Sequence, residues 1–382
     1  DFLSTVFSSV AVNPSTPSEI LAGGGDSSYQ NSSRGGIGIW RSNNYGAPGS
    51  WTKVSTPDFD NKVIYRIRID PAPPNDIYVA STHGAWLGVH NGANITFSKI
   101  GSFNVVTSDL VVDFSSMPRK VYAGVRSGNA TFAKGIWKWD GSAWAKKDSG
   151  IPTDDIQLVA LALAKSSPST LYARVVAADG QQQGIYKTTV AGEGVTAWGV
   201  LPGASIVNDS GSASSFWYSW YNNVIEVDPT DASRVYAAGL SVFRSVNGGT
   251  DWEKISAGAD PNYPYWTHAD HHAIAFDPVN PKIVYVGNDG GIDKSTDISK
   301  AVWHWRDASH GMVMTEFYFT TSSHEHPTLL AGGSQDNGTD ITFGNRTWYN
   351  PGGCDGFNVG SDAKNPDTLY ANCNHHTVYE IA

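Results

Sequence analysis

The chain has 382 residues, 40% of them hydrophobic, which is enough to bury a large core, yet no stretch approaches the ~20 consecutive apolar residues of a membrane span. A formal net charge of −10, from 26 Lys and Arg against 36 Asp and Glu, argues against nucleic acid and acidic polysaccharide as partners, since both demand clustered positive charge. With 40 glycines, 12% aromatic and only 16% charged residues, the composition is that of a turn-rich sheet protein, and neutral carbohydrate stays open as a partner.

Taken in chain order, the elements repeat. A short apolar strand, a turn and a second apolar strand are expected around Asn13. The same arrangement is explicit in Asp70-Pro-Ala-Pro-Pro-Asn-Asp-Ile-Tyr78, weaker at Asp113 and Lys165, and explicit again in Asp228-Pro-Thr-Asp-Ala-Ser-Arg-Val-Tyr236 and Asp277-Pro-Val-Asn-Pro-Lys-Ile-Val-Tyr285. Further weak copies start at Ser322 and Asp362. The spacing of roughly 40 to 64 residues is the period of a four-stranded propeller blade. The fold class expected is therefore all-β: a β-propeller of seven or eight four-stranded blades forming a single domain over residues 1–382. Gln157-Leu-Val-Ala-Leu-Ala-Leu-Ala164 is apolar enough for a helix, but its place in the repeat predicts a strand. The sixth repeat is the clearest, with strands expected at 272–276, 282–286, 292–295 and near Trp303. The eighth repeat ends after its third strand, so either residues 1–5 close the ring or the chain is part of a longer protein.

Between the third and fourth strands of the fifth repeat stands Phe243-Arg-Ser-Val-Asn-Gly-Gly-Thr-Asp-Trp252. It resembles the Asp-box turn of sialidases, sortilin-type receptors and several glycosidase families. Degenerate copies occur at Ser42 with Trp51, Asp140 with Trp144, Thr188 with Trp198, and Ser295 with Trp303. Asn247 is expected to close the turn, Gly249 to supply its unusual φ, and Trp252 to pack into the blade. These turns are architectural.

Loops at one position of the repeat emerge on one face, so distant residues can be collected into one site. The loops between second and third strands supply Asp26, His83, Arg126, Asp289, Asp336 and Asn374-His375-His376. The loops entering each repeat supply Trp217, Tyr218, Trp220, Tyr221 and Asn222. They also supply Tyr265, Trp266, His268, Asp270, His271 and His272, and finally Asp355. The chemistry is densest in the sixth to eighth repeats. The His and Asp run invites a metal reading, but His271 and His272 are neighbours on a strand and point to opposite faces, and the spacing matches no established zinc motif. No metal or cofactor is expected.

Thr267-His-Ala-Asp-His-His-Ala-Ile-Ala-Phe-Asp-Pro278, Val286-Gly-Asn-Asp-Gly-Gly291 and Gly332-Gly-Ser-Gln-Asp-Asn-Gly338 resemble the Asp-box propeller superfamily of sortilin-like proteins and family-74 glycoside hydrolases, which are xyloglucanases. In those hydrolases an Asp in a Tyr-Ala-Arg-Thr-Asp-Ile-Gly-Gly context is catalytic, and Tyr285-Val-Gly-Asn-Asp-Gly-Gly291 puts Asp289 in the equivalent place. The Arg-Thr pair and the Ile are missing here, and the family's cleft lies between two propellers. The resemblance implies a glycoside hydrolase on a neutral β-glucan such as xyloglucan. That chemistry needs two carboxyl groups, ~5 Å apart for retention or ~6.5–9.5 Å for inversion. Asp289 and Asp355 are the expected pair, with Asp336 third. Trp217, Tyr218, Trp220, Tyr221, Trp266, His268, Asp270, His271 and His375 are the expected substrate-binding set.

Two alternatives stand beside this reading. A lectin or sortilin-like receptor would present the same loops without cleaving anything, and a polysaccharide lyase would use one His as its base. Sialidase chemistry lacks its arginine triad, and a serine hydrolase lacks the Gly-x-Ser-x-Gly elbow. Cys354 and Cys373, the only cysteines, are either a disulfide or two buried thiols; the disulfide is expected, which points to an oxidising compartment. Sequons at Asn31, Asn94, Asn129, Asn208, Asn337 and Asn345 agree with a secreted glycoprotein, and a monomer is expected.

Overall fold

The computed structural model describes residues 6–27, 34–92, 94–208, 219–258, 262–298, 304–312, 315–373 and 377–381. Among them there is no α-helix, and only short 3₁₀ turns at Pro57–Phe59, Ile100–Ser102 and Pro202–Asn208 interrupt the strands. Strands consecutive in sequence pair antiparallel, mostly four to a sheet, which is consistent with the blades of a β-propeller. By its contacts the chain divides into two compact units, Asp1–Tyr285 with Thr296–His304, and Val286–Ser295 with Trp305–Ala382.

The first unit holds five complete sheets, and side-chain chemistry sets their first hairpins. Asp70 Oδ1 accepts the Ala72 N–H at 2.9 Å, Asp228 Oδ1 the Thr230 N–H at 2.7 Å, and Asp277 Oδ1 the Val279 N–H at 2.9 Å. Asn13 and Asp113 do the same for Ser15 and Ser115. These are Asx turns, in which a carboxylate or amide replaces a backbone acceptor. They join Ile64–Ile69 to Ile77–Ser81 and Val224–Val227 to Val235–Ala238, and at Asp277 the N–H closes on Ile283 O at 3.0 Å. The apolar run near Gln157 is the strand Ile156–Leu163, and its burial on both faces explains why it shows no alternation.

Successive sheets of this unit enclose separate apolar layers. Leu21, Ile39, Ile67 and Val79 lie between the first and second, Leu110, Val121 and Ala123 with Tyr78 between the second and third. Val111, Val159, Leu161 and Val175 follow, then Ala160, Tyr172, Ile225 and Phe243. The first strands of the first four sheets share a feature that composition does not reveal. Each breaks register near its start, at Phe7/Ser9, Ile64/Arg66, Thr107/Asp109 and Ile156/Leu158. Such a bulge re-aims one side chain. Two of them reach the next sheet: the Ser8 hydroxyl donates to Ile64 O at 2.7 Å, and that of Ser108 to Val159 O at 2.9 Å. Asp109 extends the seam, accepting from Leu161 N–H at 2.9 Å and Arg66 Nε at 2.7 Å.

The turn at 245–252 is built around a hydroxyl. Ser245 Oγ accepts the Gly249 N–H at 2.8 Å, Asn247 Oδ1 accepts the Asp251 N–H at 2.9 Å, and Trp252 Nε1 donates to Gly249 O at 3.1 Å. Ser42 receives Asn44 and Gly46, and Thr188 receives Val190 and Gly192, with the same spacing. The position before each receiving glycine also takes positive φ, at Tyr45, Ala191 and Gly248. A hydroxyl that satisfies two amides makes this unusual backbone affordable even for Tyr45.

The second unit contains Gly291–Ser295 paired with Trp305–Asp307, a four-stranded sheet from Phe319–Ser322 to Tyr349–Gly352, and a last sheet of three strands, Val359–Ser361, Leu369–Cys373 and Thr377–Ile381. The three-strand ending matches the expectation from sequence. Leu329, Ala331, Ile341 and Leu369 form the apolar layer between the last two sheets. A disulfide joins Cys354 and Cys373, whose Cα atoms are 5.8 Å apart, tying the segment entering the last sheet to its middle strand.

Candidate functional site

The three expected carboxylates all lie in the second unit, on loops held by their own chemistry. Asp289 follows the strand Val284–Asn288 in a turn closed by Asn288, whose Oδ1 accepts the Gly290 N–H at 3.1 Å while its Nδ2 donates to Asp293 at 2.9 Å. Asp336 sits between Leu329–Ser334 and Gly338–Phe343 with φ 60°, a conformation that short polar residues tolerate. Asp355 reaches back from the disulfide-bearing segment, and its Oδ1 accepts the Asp336 N–H at 3.0 Å. Gly356 allows this approach. A Cβ there would stand 2.2 Å from Gly338 O, and its N–H donates to Ser334 O at 3.0 Å.

The carboxylate oxygens of Asp289 and Asp336 lie within 4.8 Å of each other. Asn337 cross-braces the two loops, donating from Nδ2 to Asp289 O at 3.0 Å. Asn350 donates to Asn337 O at 2.7 Å and to Asp340 Oδ1 at 3.1 Å, and burial raises the pKa of Asp340. Tyr318 donates to Gln335 Oε1 at 2.6 Å and its ring packs 5.1 Å from Phe357. The structure thus groups Asp289 with Asp336 and places Asp355 behind the latter. Asp340, Asn350 and Tyr318 were not foreseen. A charged Asp inside a strand of otherwise uncharged residues, Gly338–Phe343, is the signal that could have found Asp340.

In the first unit, Trp220 and Tyr221 pack at 5.5 Å, and His272 meets Tyr221 edge-on at 4.6 Å. Trp266 is 42% exposed, the only one of the expected stacking residues described as widely open, and lies 6.4 Å from His268. Asp270 has φ 59° and accepts from Asn222 Nδ2 at 2.5 Å. His271 differs from expectation. It is fully buried, one ring nitrogen meets Gly239 O at 2.9 Å and the other Thr267 Oγ1 at 3.0 Å, so both nitrogens serve the protein interior. The strand alternation that predicts opposite faces for His271 and His272 holds, with His271 turned inward and His272 outward. Trp217, Tyr218 and His375 lie outside the described residues.

Among the sequons, Asn94 and Asn345 are exposed. Asn129 is exposed but caps its own turn, accepting Thr131 and Phe132 amides. Asn337 spends its amide on the site loops, so a glycan there would break them. Asn31 is outside the described residues, and the side chain of Asn208 is likewise not described. No helix among the described residues is long and apolar enough to cross a membrane.

No protein-family model and no curated protein matches this chain. Solved structures do. An ancestral GH74 enzyme superposes with a TM-score of 0.63 at 18% identity, covering 100% of this chain and 57% of that one. The Niastella koreensis GH74 enzyme gives 0.58 at 17%, covering 98% of this chain and 65% of that one. The COPII outer coat on membranes gives 0.51 at 13%, covering 98% and 97%. The likeness is one of fold. The chain spans about three fifths of the length of the GH74 enzymes it matches.

Proposed function

We propose that the chain is a secreted glycoside hydrolase acting on a neutral β-glucan such as xyloglucan, with Asp289 and Asp336 as its reacting carboxyl groups. The observation that carries this reading is their approach to within 4.8 Å. Two carboxylates so close disfavour double ionisation, and glycoside hydrolysis needs one carboxyl protonated as acid beside one ionised. A short separation suits attack by the ionised partner on the sugar, with retention of configuration. Asp355 is a positioning residue, fixing the Asp336 backbone through its N–H. The fold shared with GH74 enzymes, the exposed Trp266 and the disulfide support a carbohydrate-active protein from an oxidising compartment.

Asp289→Asn and Asp336→Asn test the assignment, since each keeps the shape and removes the titratable group. Loss of a catalytic acid or base costs about 10²–10⁴-fold in rate. Both variants should lose that much kcat on the polysaccharide the native protein cleaves while still binding it. Full activity in both sinks the site.

A further inference from the structure

A cavity lies far from these loops in sequence and wholly within the first unit. It occupies about 280 Å³ between the second and third sheets, on the side of the first-hairpin turns. Its walls are apolar, from Pro74, Leu87, Ile100, Pro118 and Trp139, and Met117 stands at its edge with 82% of its surface exposed. Two polar groups line it without partners. Tyr78 is only 6% exposed and its hydroxyl makes no hydrogen bond among the described residues. Asp76 is held in place by its backbone carbonyl, which accepts the Asp70 N–H at 2.8 Å, yet its Oδ1 is buried with no donor.

The charged neighbours are committed elsewhere. Arg119 grips Asp70 through Nε at 2.6 Å and Nη2 at 3.2 Å, and spends Nη1 on the carbonyls of Phe114 and Ser116. His90 lies 3.7 Å from Glu19. Two carboxylates therefore share one arginine whose hydrogen bonds go to the first, and Asp76 Oδ1 is left without a donor. Burial and the adjacent Asp70 raise the pKa of Asp76, and the attraction of His90 and Arg119 offsets this only in part.

We propose that this cleft binds a small organic ammonium ion with an apolar or aromatic body, the cation against Asp76 and the body between Pro74, Leu87 and Trp139. Mostly apolar walls with a few converging polar groups are the usual composition of a small-molecule pocket. At about 30 Å³ per water the cleft holds about nine waters' volume, which suits a ligand of about nine or ten non-hydrogen atoms. Tyr78 supplies a neutral hydroxyl, since burial holds its pKa up at about 12.

Phenethylammonium is the probe and phenethyl alcohol, the same size and uncharged, its control. Binding to the whole chain is followed by two-dimensional amide NMR and by calorimetry. The ammonium should bind with a Kd of about 1 mM or tighter, at least about 10-fold better than the alcohol, with shifts confined to residues around Asp76 and Trp139. In Asp76→Asn that preference should fall to less than about 2-fold. No binding of the ammonium at about 20 mM, or equal binding of both probes to the native chain, overturns the proposal; so does a preference that survives in Asp76→Asn. The native comparison alone decides if the variant does not fold.

Discussion

Replacing Asp109 with Ala should destabilise the first unit more than any single surface change, and the structure fixes roughly how much. The carboxylate is 2% exposed and serves four donors: the Leu110 N–H at 2.8 Å, the Leu161 N–H at 2.9 Å, and Arg66 through Nε at 2.7 Å and Nη2 at 3.4 Å. Alanine strands two backbone amides among buried residues, each costing about 1–3 kcal/mol. The ionic part adds less, because the Arg66 side chain is 36% exposed and can turn to solvent. About 3–5 kcal/mol is the expected loss. Urea denaturation followed by tryptophan fluorescence reads it; with a slope of about 3 kcal/mol per molar, the midpoint should fall by about 1 M or slightly more. A double cycle with Arg66→Ala separates the contributions. The coupling should stay near about 1 kcal/mol, since the amides remain stranded whether or not the guanidinium is there. A loss below about 1 kcal/mol in Asp109→Ala refutes the view that this carboxylate joins the second, third and fourth sheets.

Other expectations follow from the same geometry. Gly249→Val should destabilise by several kcal/mol, since φ is 90° and an added Cβ would stand 2.3 Å from Leu201 Cδ1; chemical denaturation measures it, and a neutral result contradicts the turn. Reducing Cys354–Cys373, which closes a 19-residue separation, should cost the second unit about 3 kcal/mol, visible as a lowered unfolding midpoint under dithiothreitol. Asp140 is held down to about 2 by the amides of Ala143 and Ser142. Because its folded pKa lies below the unbound value of 3.8, its turn contributes stability above that pH and loses it as the pH falls toward 2. A carboxyl-carbon NMR titration giving an ordinary midpoint for Asp140 would contradict the turn geometry.

Turn chemistry is what made the fold legible. Asp70, Asp228 and Asp277 mark hairpins because a carboxylate followed by a short turn has few other local uses, and the strands on either side then follow by alternation. The serine of 245–252 was harder to read, because its hydroxyl rather than the neighbouring Asn247 gathers the Gly249 amide. The bulges at Ser8, Tyr65, Ser108 and Gln157 leave no compositional trace, so the seam through Arg66 and Asp109 could not be read. At the candidate site the Gly-flanked Asp289, Asp336 and Asp355 were recognisable as a group. Their internal order was not, because the link from Asp355 to the Asp336 N–H depends on how closely Gly356 lets one loop approach another. Asn337 read as a glycosylation sequon but braces the site, and His271 read as a substrate-binding residue but fills the interior; both are decided by which atoms lie across the fold.

The most direct test of the account is to incubate the purified chain with xyloglucan, other neutral β-glucans and uronate-containing polysaccharides, assaying new reducing ends beside binding. A glycosidase built on this site releases reducing ends from a neutral β-glucan and none from the uronate polymers, and loses the activity in Asp289→Asn and Asp336→Asn. Binding without any cleavage would contradict it in favour of a lectin or receptor, and an ultraviolet-absorbing unsaturated product would contradict it in favour of a lyase.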